Sequence, residues 1–234
     1  MKNKVGFITG GSKGIGLGIA EAMVKENIKV AITGRNAEAV NSALELLNKV
    51  KPDSAIGFVS DVRKPEDLNQ NVKEIVAKWG SLDYVLANAG VGHFGNIETL
   101  TAKQWNETID INLTGVFNTV KACLEKVIES KGYIITIASL AGTNFFVNGT
   151  AYNASKFGLV GFTQALMLDV RSKGVKVTTI MPGSVTSYFN GHVPSDTDAW
   201  KIQPEDIGQM VIDLIQMPAR TLPSKIEVRP TMPG

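Results

Sequence analysis

The sequence is poor in the residues that disulfides and metal sites require. Its 234 residues include one cysteine, Cys123, and two histidines, His93 and His192. A single cysteine excludes an internal disulfide, and no group of His and Cys has the spacing of metal ligands. Cys123 falls in an apolar stretch with helical periodicity, where a buried structural thiol is expected. We therefore predict no metal site.

An excess of charge and long apolar runs are also absent. The chain has 24 Lys and Arg against 22 Asp and Glu, a formal net charge of +2, which gives no indication of nucleic-acid or membrane-surface binding. No run reaches the roughly 18 apolar residues that a membrane helix needs. The first strand pattern follows Lys4 directly, too early for a signal peptide. We expect a cytoplasmic protein with neither nucleic acid nor membrane as a partner.

Short apolar runs alternate with helical patterns along the whole chain. Strands are predicted at 5–9, 28–33, 54–60, 82–86, 133–138, 175–181 and 225–228, and helices from the first glycine-rich segment to about 25 and at 36–51, 65–79, 101–130, 152–173 and 203–216. This alternation predicts a doubly wound α/β fold, a parallel sheet with helices on both faces. Ligands then bind beyond the carboxyl ends of the strands, where the strand order reverses. No linker or repeat interrupts the pattern, so we predict one domain over 1–234.

A glycine-rich segment, Gly10-Gly11-Ser12-Lys13-Gly14-Ile15-Gly16, follows the first strand. The succession of strand, glycine loop and helix places a pyrophosphate on a helix N-terminus. The spacing is G-x-x-x-G-x-G rather than the common G-x-G-x-x-G. A tight turn without ligand is the alternative interpretation, and the position after the first strand favours the dinucleotide site.

The residue after the second strand bears on the choice of dinucleotide. An acidic residue there would bind the ribose 2′-hydroxyl of NAD, but the chain has Arg35 instead, and Lys13 lies in the glycine-rich segment. Each cation alone is also typical of a solvated surface. Together, with no acid nearby, they favour a 2′-phosphate and hence NADP(H).

Tyr152 and Lys156 are four residues apart in a predicted helix and therefore share a face. A fixed positive charge favours phenolate, so Lys156 is expected to lower the pKa of Tyr152 from about 10 and make it a general acid or base. Ser139, at the end of the fifth strand, is placed to hold a carbonyl oxygen. The Tyr and Lys pair alone is more typical of an ordinary amphipathic helix, so the catalytic interpretation depends on the other motifs.

Two further observations concern the surroundings of this pair. Asn112 falls in the middle of the predicted helix 101–130, where it is either a tolerated polar residue or part of a local kink that holds a water near the reacting centre. Aromatic residues cluster in the loops, and we expect some of them to line a substrate pocket: Phe94, Phe145, Phe146, Tyr188 and Phe189.

Six motifs in order give the chain a resemblance to the classical short-chain dehydrogenases/reductases. They are Thr9-Gly10-Gly11-Ser12-Lys13-Gly14-Ile15-Gly16, Asn88-Ala89-Gly90, Asn112, Ser139, Tyr152 with Lys156, and Pro182-Gly183 with Val185 and Thr186. Each motif is weak alone, but the set is specific in order and spacing. The resemblance covers essentially the whole chain and implies a sheet of about seven strands in the order 3-2-1-4-5-6-7.

The resemblance also implies residue roles. Tyr152 would donate the proton in reduction, Lys156 would lower the pKa of Tyr152 and bind the nicotinamide ribose, and Ser139 would orient the carbonyl. Asn112 would hold a water that leads from Lys156 to solvent. The other cofactor contacts would be Asp61 and Val62 at the adenine, Asn88, Ala89 and Gly90 on the adenosine side, and Pro182, Gly183, Val185 and Thr186 at the nicotinamide or phosphates. Lys13 with Arg35 resembles the NADPH-preferring subtype, and family members commonly form homotetramers, or homodimers, through 101–130 and 152–173.

The function implied is hydride transfer between NADPH and a ketone or aldehyde, or a secondary alcohol in reverse. The tail from Ile226 and the short loop between Thr186 and Pro204 resemble small reductases of hydroxy acids, amino-acid-like alcohols or miscellaneous ketones. A 3-oxoacyl thioester (acyl-carrier-protein) reductase is the alternative. A non-catalytic NADP(H)-sensing regulator is a third hypothesis, against which the intact catalytic residues speak. The motifs leave the substrate, its stereochemistry, the direction of reaction and the pathway open.

Overall fold

The computed structural model describes residues 4–232 as alternating strands and helices. The strands are β1 (Val5–Thr9), β2 (Lys29–Gly34), β3 (Ala55–Val59), β4 (Tyr84–Ala87), β5 (Tyr133–Ile137), β6 (Lys176–Pro182) and β7 (Lys225–Val228). The helices are α1 (Gly14–Lys25), α2 (Ala37–Val50), α3 (Pro65–Trp79), α4 (Ala102–Ile109), α5 (Gly115–Ser130), α6 (Thr150–Val170) and α7 (Pro204–Gln216). Every predicted strand is present within two residues at each end.

All seven strands pair in parallel in the order β3-β2-β1-β4-β5-β6-β7, which confirms the predicted sheet. The chain leaves β1 toward β2 on one side and later returns to β4 on the other. The carboxyl ends of β1 and β4 therefore flank the point where the order reverses, and a cleft is expected there. In register, Phe7 lies between Ala31 of β2 and Val85 of β4.

Successive strand residues point to opposite faces, and each face has its own apolar core. Phe7 and Val85 belong to one core with α3, α5 and α6, whereas Ile8 and Leu86 belong to the other with α1, α2 and α7. Because both faces are covered, β1 and β5 are buried along their whole length and are mostly apolar. Cys123 is fully buried in the first core, as predicted.

The prediction of one continuous helix over 101–130 is wrong in one respect. The segment consists of α4 and α5 joined by one π-helical turn, Asp110–Thr114, in which the Gly115 N–H donates to the Asp110 carbonyl. The wider i to i+5 bond adds a residue to the turn and bends the helix locally. This is the kink that the polar Asn112 suggested as one alternative.

Other differences are confined to ends and loops. Helix α6 ends at Val170, and a 3₁₀ turn, Arg171–Lys173, completes the predicted segment. The loop after β6 contains two 3₁₀ turns, Phe189–Gly191 and Asp196–Asp198. The predicted irregular tail has no helix or strand over 229–232, and Pro233 and Gly234 lie outside the described residues. None of the described helices is both long and apolar enough to cross a membrane.

Candidate functional site

A cavity of about 1090 Å³ opens at the carboxyl ends of the central strands. Ligand pockets commonly reach about 300–1,000 Å³, so this volume suits a ligand larger than a typical small molecule. Most of the predicted site residues line it: Gly10, Ser12, Lys13, Gly14, Ile15, Arg35, Asp61, Val62, Asn88, Ala89, Gly90, Ser139, Tyr152, Lys156, Pro182, Gly183 and Val185. Gly16, Asn112 and Thr186 do not line it.

Gly16 lies behind the glycine-rich loop and sets its shape. A Cβ at Gly16 would lie 2.3 Å from the Gly10 carbonyl oxygen and 2.6 Å from Asn88 Nδ2. The Asn88 amide in turn donates to the carbonyls of Thr9 and Gly10, both at 3.0 Å. Gly16 thus allows the start of α1 to pack directly on the loop, and Asn88 ties the loop to the end of β4.

Gly10 and Gly14 have positive φ angles of 65° and 55°, a backbone conformation that other residues adopt at a cost. These two residues turn the loop over the N-terminus of α1. Helix α1 has no side-chain cap at Lys13 and no acidic residue in its first turn. Its first N–H groups and the positive end of its dipole therefore face the cavity without a protein anion, which suits phosphate groups.

Cations and carboxylates meet at the end of the cavity beside β2. Arg35 lies 3.7 Å from Glu107, which also pairs with His93 at 3.0 Å. Glu107 has a lowered pKa, mainly because it accepts a hydrogen bond from His93. Asp61 is engaged by the guanidinium of Arg63, which lowers the pKa of that carboxyl. The sequence analysis missed Glu107, since a polar residue on a helix carries no signal of its own.

Lys13, the second predicted cation, lies in the glycine-rich loop directly before the first residue of α1. Its Nζ is 5.8 Å from the centroid of the Tyr188 ring. A cation over an aromatic face is weakly attracted, so this contact leaves the ammonium able to bind an anion in the cavity.

Asn112 lies under the cavity and is fully buried. Its side-chain amide donates to the Val91 carbonyl at 2.9 Å and to Ser155 Oγ at 3.0 Å, and it accepts from the Val91 N–H at 2.8 Å. Both amide donors are therefore occupied by protein groups. In this arrangement Asn112 fixes the loop after β4 against α6, the helix that carries Tyr152 and Lys156.

Ser139, Tyr152 and Lys156 line one wall of the cavity at the ends of β5 and α6. Lys156 Nζ donates to the Ile137 carbonyl at 3.0 Å and lies 5.7 Å from the centroid of the Tyr152 ring. Ser139 Oγ accepts from the Ala141 N–H at 3.1 Å, which orients the hydroxyl. The predicted trio is thus brought together by two separate segments of chain, the end of β5 and the first turns of α6.

The expected lowering of the Tyr152 pKa by Lys156 is wrong for this structure. Burial raises the pKa of Tyr152 to about 12, and the hydrogen bond with Ser139 lowers it only in part. Burial lowers the pKa of Lys156 to about 8. Desolvation disfavours the charged form of each group, and it is the largest cause of both pKa shifts. At neutral pH Tyr152 is therefore a protonated phenol, ready to donate.

Buried Lys156 gives a prediction for stability. Its pKa falls from 10.5 when exposed to about 8 when folded, which corresponds to a destabilisation of about 3 kcal/mol at neutral pH. This cost is fully present below pH 8 and disappears as pH rises to 10.5, because the unfolded chain then binds the extra proton. Lys156→Met should therefore gain stability relative to the parent at pH 7, and this advantage should shrink toward pH 10.

Urea unfolding of both proteins between pH 7 and pH 10 measures this difference. Lys103→Met, at an exposed position on α4, is the control and should give a difference that does not change with pH. A constant difference for Lys156→Met as well would contradict the account of a buried ammonium.

Three aromatic rings surround the Tyr152 ring. Its ring centroid is 5.3 Å from that of Phe94, 5.7 Å from that of Phe189 and 6.4 Å from that of Phe146. Phe94 also contacts Phe146 and Phe189, at 5.6 Å and 6.3 Å. We call Phe94, Phe146 and Phe189 the aromatic cage. Phe145, by contrast, stacks on Phe157 and has no ring contact with Tyr152.

Asp198 holds the loop after β6 over the cavity. This buried carboxylate pairs with His192 and Lys201, both at 2.5 Å. Thr186 Oγ1 donates to the Asp198 carbonyl and accepts from Gln203. These bonds explain why Thr186, a predicted cofactor residue, faces the loop rather than the cavity. Hydrogen bonds from Lys201 and His192 lower the pKa of Asp198 to about 2.

The sequence and the fold are similar to those of known proteins. The sequence profile of the family described as short chain dehydrogenase matches residues 4–198. The chain belongs to this short-chain dehydrogenase family. An uncharacterized oxidoreductase of Staphylococcus aureus is 33% identical over 232 residues, 98% of each chain.

Solved structures are similar over nearly the whole chain. An alcohol dehydrogenase of the archaeon Thermococcus sibiricus, complexed with 5-hydroxy-NADP, has a TM-score of 0.92 and 26% identity over 99% of both chains. Actinorhodin polyketide ketoreductase with NADPH has a TM-score of 0.87 and 30% identity over 97% of this chain and 96% of its own. Other similar structures hold NADP or NAD.

Among residues 4–232, no group of three or more His, Cys, Asp or Glu is placed to hold a metal ion. The charged and hydroxyl groups of the short-chain dehydrogenase site instead provide an anion cradle at the glycine-rich loop and hydrogen-bond donors at Ser139 and Tyr152. Such a site can hold phosphate groups at one end and protonate an oxygen at the other.

Proposed function

We propose that the protein is an NADPH-dependent oxidoreductase that reduces a ketone or aldehyde, or oxidises a secondary alcohol in reverse. The observation that carries this proposal is the placement of Ser139, Tyr152 and Lys156 on one wall of a cavity whose floor is the glycine-rich loop. The loop fits a dinucleotide, because Gly10 and Gly14 turn it with positive φ angles and the first N–H groups of α1 have no side-chain cap. Oxidation of NADPH by a panel of ketones tests it.

The residues of the site divide the work of carbonyl reduction. When bound, the nicotinamide would supply a hydride to the carbonyl carbon. Ser139 and Tyr152 donate hydrogen bonds to the carbonyl oxygen as negative charge develops on it, and Tyr152 delivers the proton. Donors held in place beforehand favour the transition state over the ground state.

Lys156 completes this arrangement as the nearest fixed cation to the phenol. After Tyr152 gives up its proton, the ammonium stabilises the phenolate that remains. The Ile137 carbonyl holds Nζ in place at 3.0 Å. The raised pKa of Tyr152 favours reduction at neutral pH and requires higher pH for the reverse reaction, which needs phenolate at the start.

The choice of NADPH over NADH rests on Arg35 and Lys13. Arg35 follows β2, where a ribose 2′-group is expected, and half of its side chain is exposed to the cavity and solvent. Lys13 lies on the neighbouring loop. Asp61, an acidic residue that lines the same cavity, is already paired with Arg63. A 2′-phosphate would therefore lie near two cations, Arg35 and Lys13. Glu107 would compete with it weakly for Arg35.

We predict that Arg35→Asp raises the Kd for NADPH by about 10–100-fold, since a charged hydrogen bond contributes about 1.5–3 kcal/mol. The Kd for NADH should change little.

Glu107→Gln should have the opposite effect on NADPH binding. It should lower the Kd for NADPH by about 2–5-fold, because it removes a partly exposed anion that competes with the phosphate for Arg35. Calorimetry with both cofactors measures these constants. Equal affinity of the parent protein for NADPH and NADH would contradict the assignment.

A 3-oxoacyl thioester reductase is the alternative, and the similarity to actinorhodin polyketide ketoreductase supports it. Turnover of a 3-oxoacyl thioester with a lower KM than that of simple ketones would favour this reading. A regulator that senses NADP(H) without turnover is the remaining hypothesis. Cofactor binding without any turnover across the panel would favour it.

Assembly and location belong to the same proposal. We infer a homotetramer, or a homodimer, built on α5 and α6, where Phe117 and Leu168 leave 48% and 57% of their surface exposed. Large exposed apolar side chains on neighbouring helices are typical of an interface between copies. Sedimentation of a monomer at micromolar concentration would contradict it. A cytoplasmic location and a single domain over 1–234 also stay predictions.

A further inference from the structure

The aromatic cage borders the end of the cavity where Tyr152 lies: Phe94 and Phe189 line the cavity, and Phe146 packs against Phe94. Phe94 comes from the loop after β4, Phe146 from the loop before α6 and Phe189 from the loop after β6, yet all three rings converge on Tyr152. Phe94 meets Tyr152 at 77° and Phe146 at 71°, edge to face. A group bonded to the reacting carbonyl must therefore pack against aromatic surface.

The charged groups near this end of the cavity already have partners within the described residues. His93 pairs with Glu107 at 3.0 Å. His192 and Lys201 both pair with Asp198 at 2.5 Å. Each of these three side chains thus faces a carboxylate of the protein, and none is free to pair with an anionic substrate.

The other cations that line the cavity either have a partner already or lie far from the aromatic cage. Lys156 donates to the Ile137 carbonyl and belongs to the catalytic group. Arg35 follows β2, which is separated from β5 by β1 and β4, or about 14 Å at the usual strand spacing. Lys13 lies on the glycine-rich loop beside Tyr188. A carboxylate on the substrate would therefore enter the aromatic cage without a counter-charge.

The energetic consequence separates two classes of carbonyl compound. An unpaired anion in apolar surroundings loses its hydration without compensation. An aryl or other bulky apolar group instead gains edge contacts with the rings. The cage therefore selects against charge more strongly than it selects for any one shape.

We propose that the substrates are uncharged carbonyl compounds with an aryl or bulky apolar substituent, and that oxo acids are excluded because residues 4–232 place no free cation at the aromatic cage. The inference rests on the proposed function, because it describes the substrate of the same reaction. It narrows the classes left open by the sequence, since it excludes hydroxy acids and retains neutral ketones.

Three para-substituted acetophenones test the inference: methyl 4-acetylbenzoate, 4-acetylbenzamide and 4-acetylbenzoate. They share the reacting methyl ketone and differ in the distant substituent, which is an apolar ester, a neutral polar amide or a carboxylate. We expect kcat/KM to be at least about 30-fold lower for the carboxylate than for the ester, with the amide in between. The comparison of amide and carboxylate separates charge from polarity.

Two phenylalanines provide matched variants. Phe94→Ala removes a cage ring that lines the cavity, and Phe145→Ala removes a ring that is 81% exposed, stacks on Phe157 and does not line the cavity. Phe94→Ala should raise KM for the ester several-fold and leave KM for butanone unchanged, because butanone has no ring to pack against it. Phe145→Ala should change neither value.

The outcomes are distinct. Equal or better turnover of the carboxylate overturns the inference and leaves the reductase proposal standing. Equal effects of Phe145→Ala and Phe94→Ala on the KM for the ester overturn the cage as the site of recognition. NADPH binding without turnover of any ketone, charged or neutral, overturns the proposed function, and the inference with it.

Discussion

Tyr152→Phe should lower kcat for ketone reduction by about 10²–10⁴-fold, the usual contribution of a positioned general acid. The substitution removes only the hydroxyl that would protonate the carbonyl oxygen, and the ring can keep its contacts with Phe94 and Phe189. The glycine-rich loop is untouched, so the affinity for NADPH should not change. Steady-state kinetics with methyl 4-acetylbenzoate, together with calorimetry for NADPH, measure the two effects separately.

Tyr84→Phe is the control for this substitution. Tyr84 is a partly buried tyrosine on β4, packed against the core formed by α1, α2 and α7, and it does not line the cavity. Removing the Tyr84 hydroxyl should leave kcat for ketone reduction unchanged. If Tyr152→Phe retained the turnover of the parent, Tyr152 would not be the proton donor.

Gly16→Ala should lower kcat/KM by about 10²-fold or more, the effect of displacing bound groups by about 1 Å. The added Cβ would lie 2.3 Å from the Gly10 carbonyl oxygen. That oxygen belongs to the backbone, so no side-chain rotation relieves the clash and the loop has to move. The loss should therefore come mainly from weaker NADPH binding, measured by calorimetry on the variant.

Gly161→Ala provides the matched control. Gly161 lies within α6, and a Cβ there would meet nothing within 4 Å. Alanine is favoured over glycine inside a helix by about 0.5–1 kcal/mol, so this variant should be as stable as the parent and bind NADPH equally. Circular dichroism of Gly16→Ala establishes that the fold is kept. Unchanged NADPH affinity in folded Gly16→Ala would show that the glycine-rich loop does not hold the cofactor.

The architecture could be predicted because the pattern of apolar runs is local and strong. Strand β1 and helix α3 were predicted with the bounds that the structure has. Pro65 at the first turn of α3 and Gly80 at its end supply the start and stop signals. The order of the strands, by contrast, came from the resemblance, since periodicity does not specify which strands are neighbours.

Most residues of the site could be predicted from motifs, but their partners could not. Glu107 and Asp198 meet their cations through tertiary contacts that leave no mark on spacing. The π-helical turn at Asn112 was hidden for a similar reason, because one extra residue in a single turn changes the apolar pattern too little to be recognised. A polar residue inside an otherwise helical pattern was the only signal.

The pKa of Tyr152 shows where pairwise reasoning fails. Lys156 lies on the same helix face, as predicted, and its charge favours phenolate. The sequence gives no measure of how deeply both groups are buried, and desolvation by burial is the larger effect. At neutral pH Tyr152 is therefore a protonated phenol beside Lys156, whose pKa is lowered. This arrangement suits the reduction of a carbonyl group.

The most direct test of the account is one reaction followed by two signals. The protein is mixed with NADPH and methyl 4-acetylbenzoate, the nicotinamide absorbance is recorded, and the alcohol formed is quantified by chromatography. The account predicts one alcohol for each NADPH consumed, with both signals lost in Tyr152→Phe. NADPH that binds but is not consumed with this or any other ketone would contradict it.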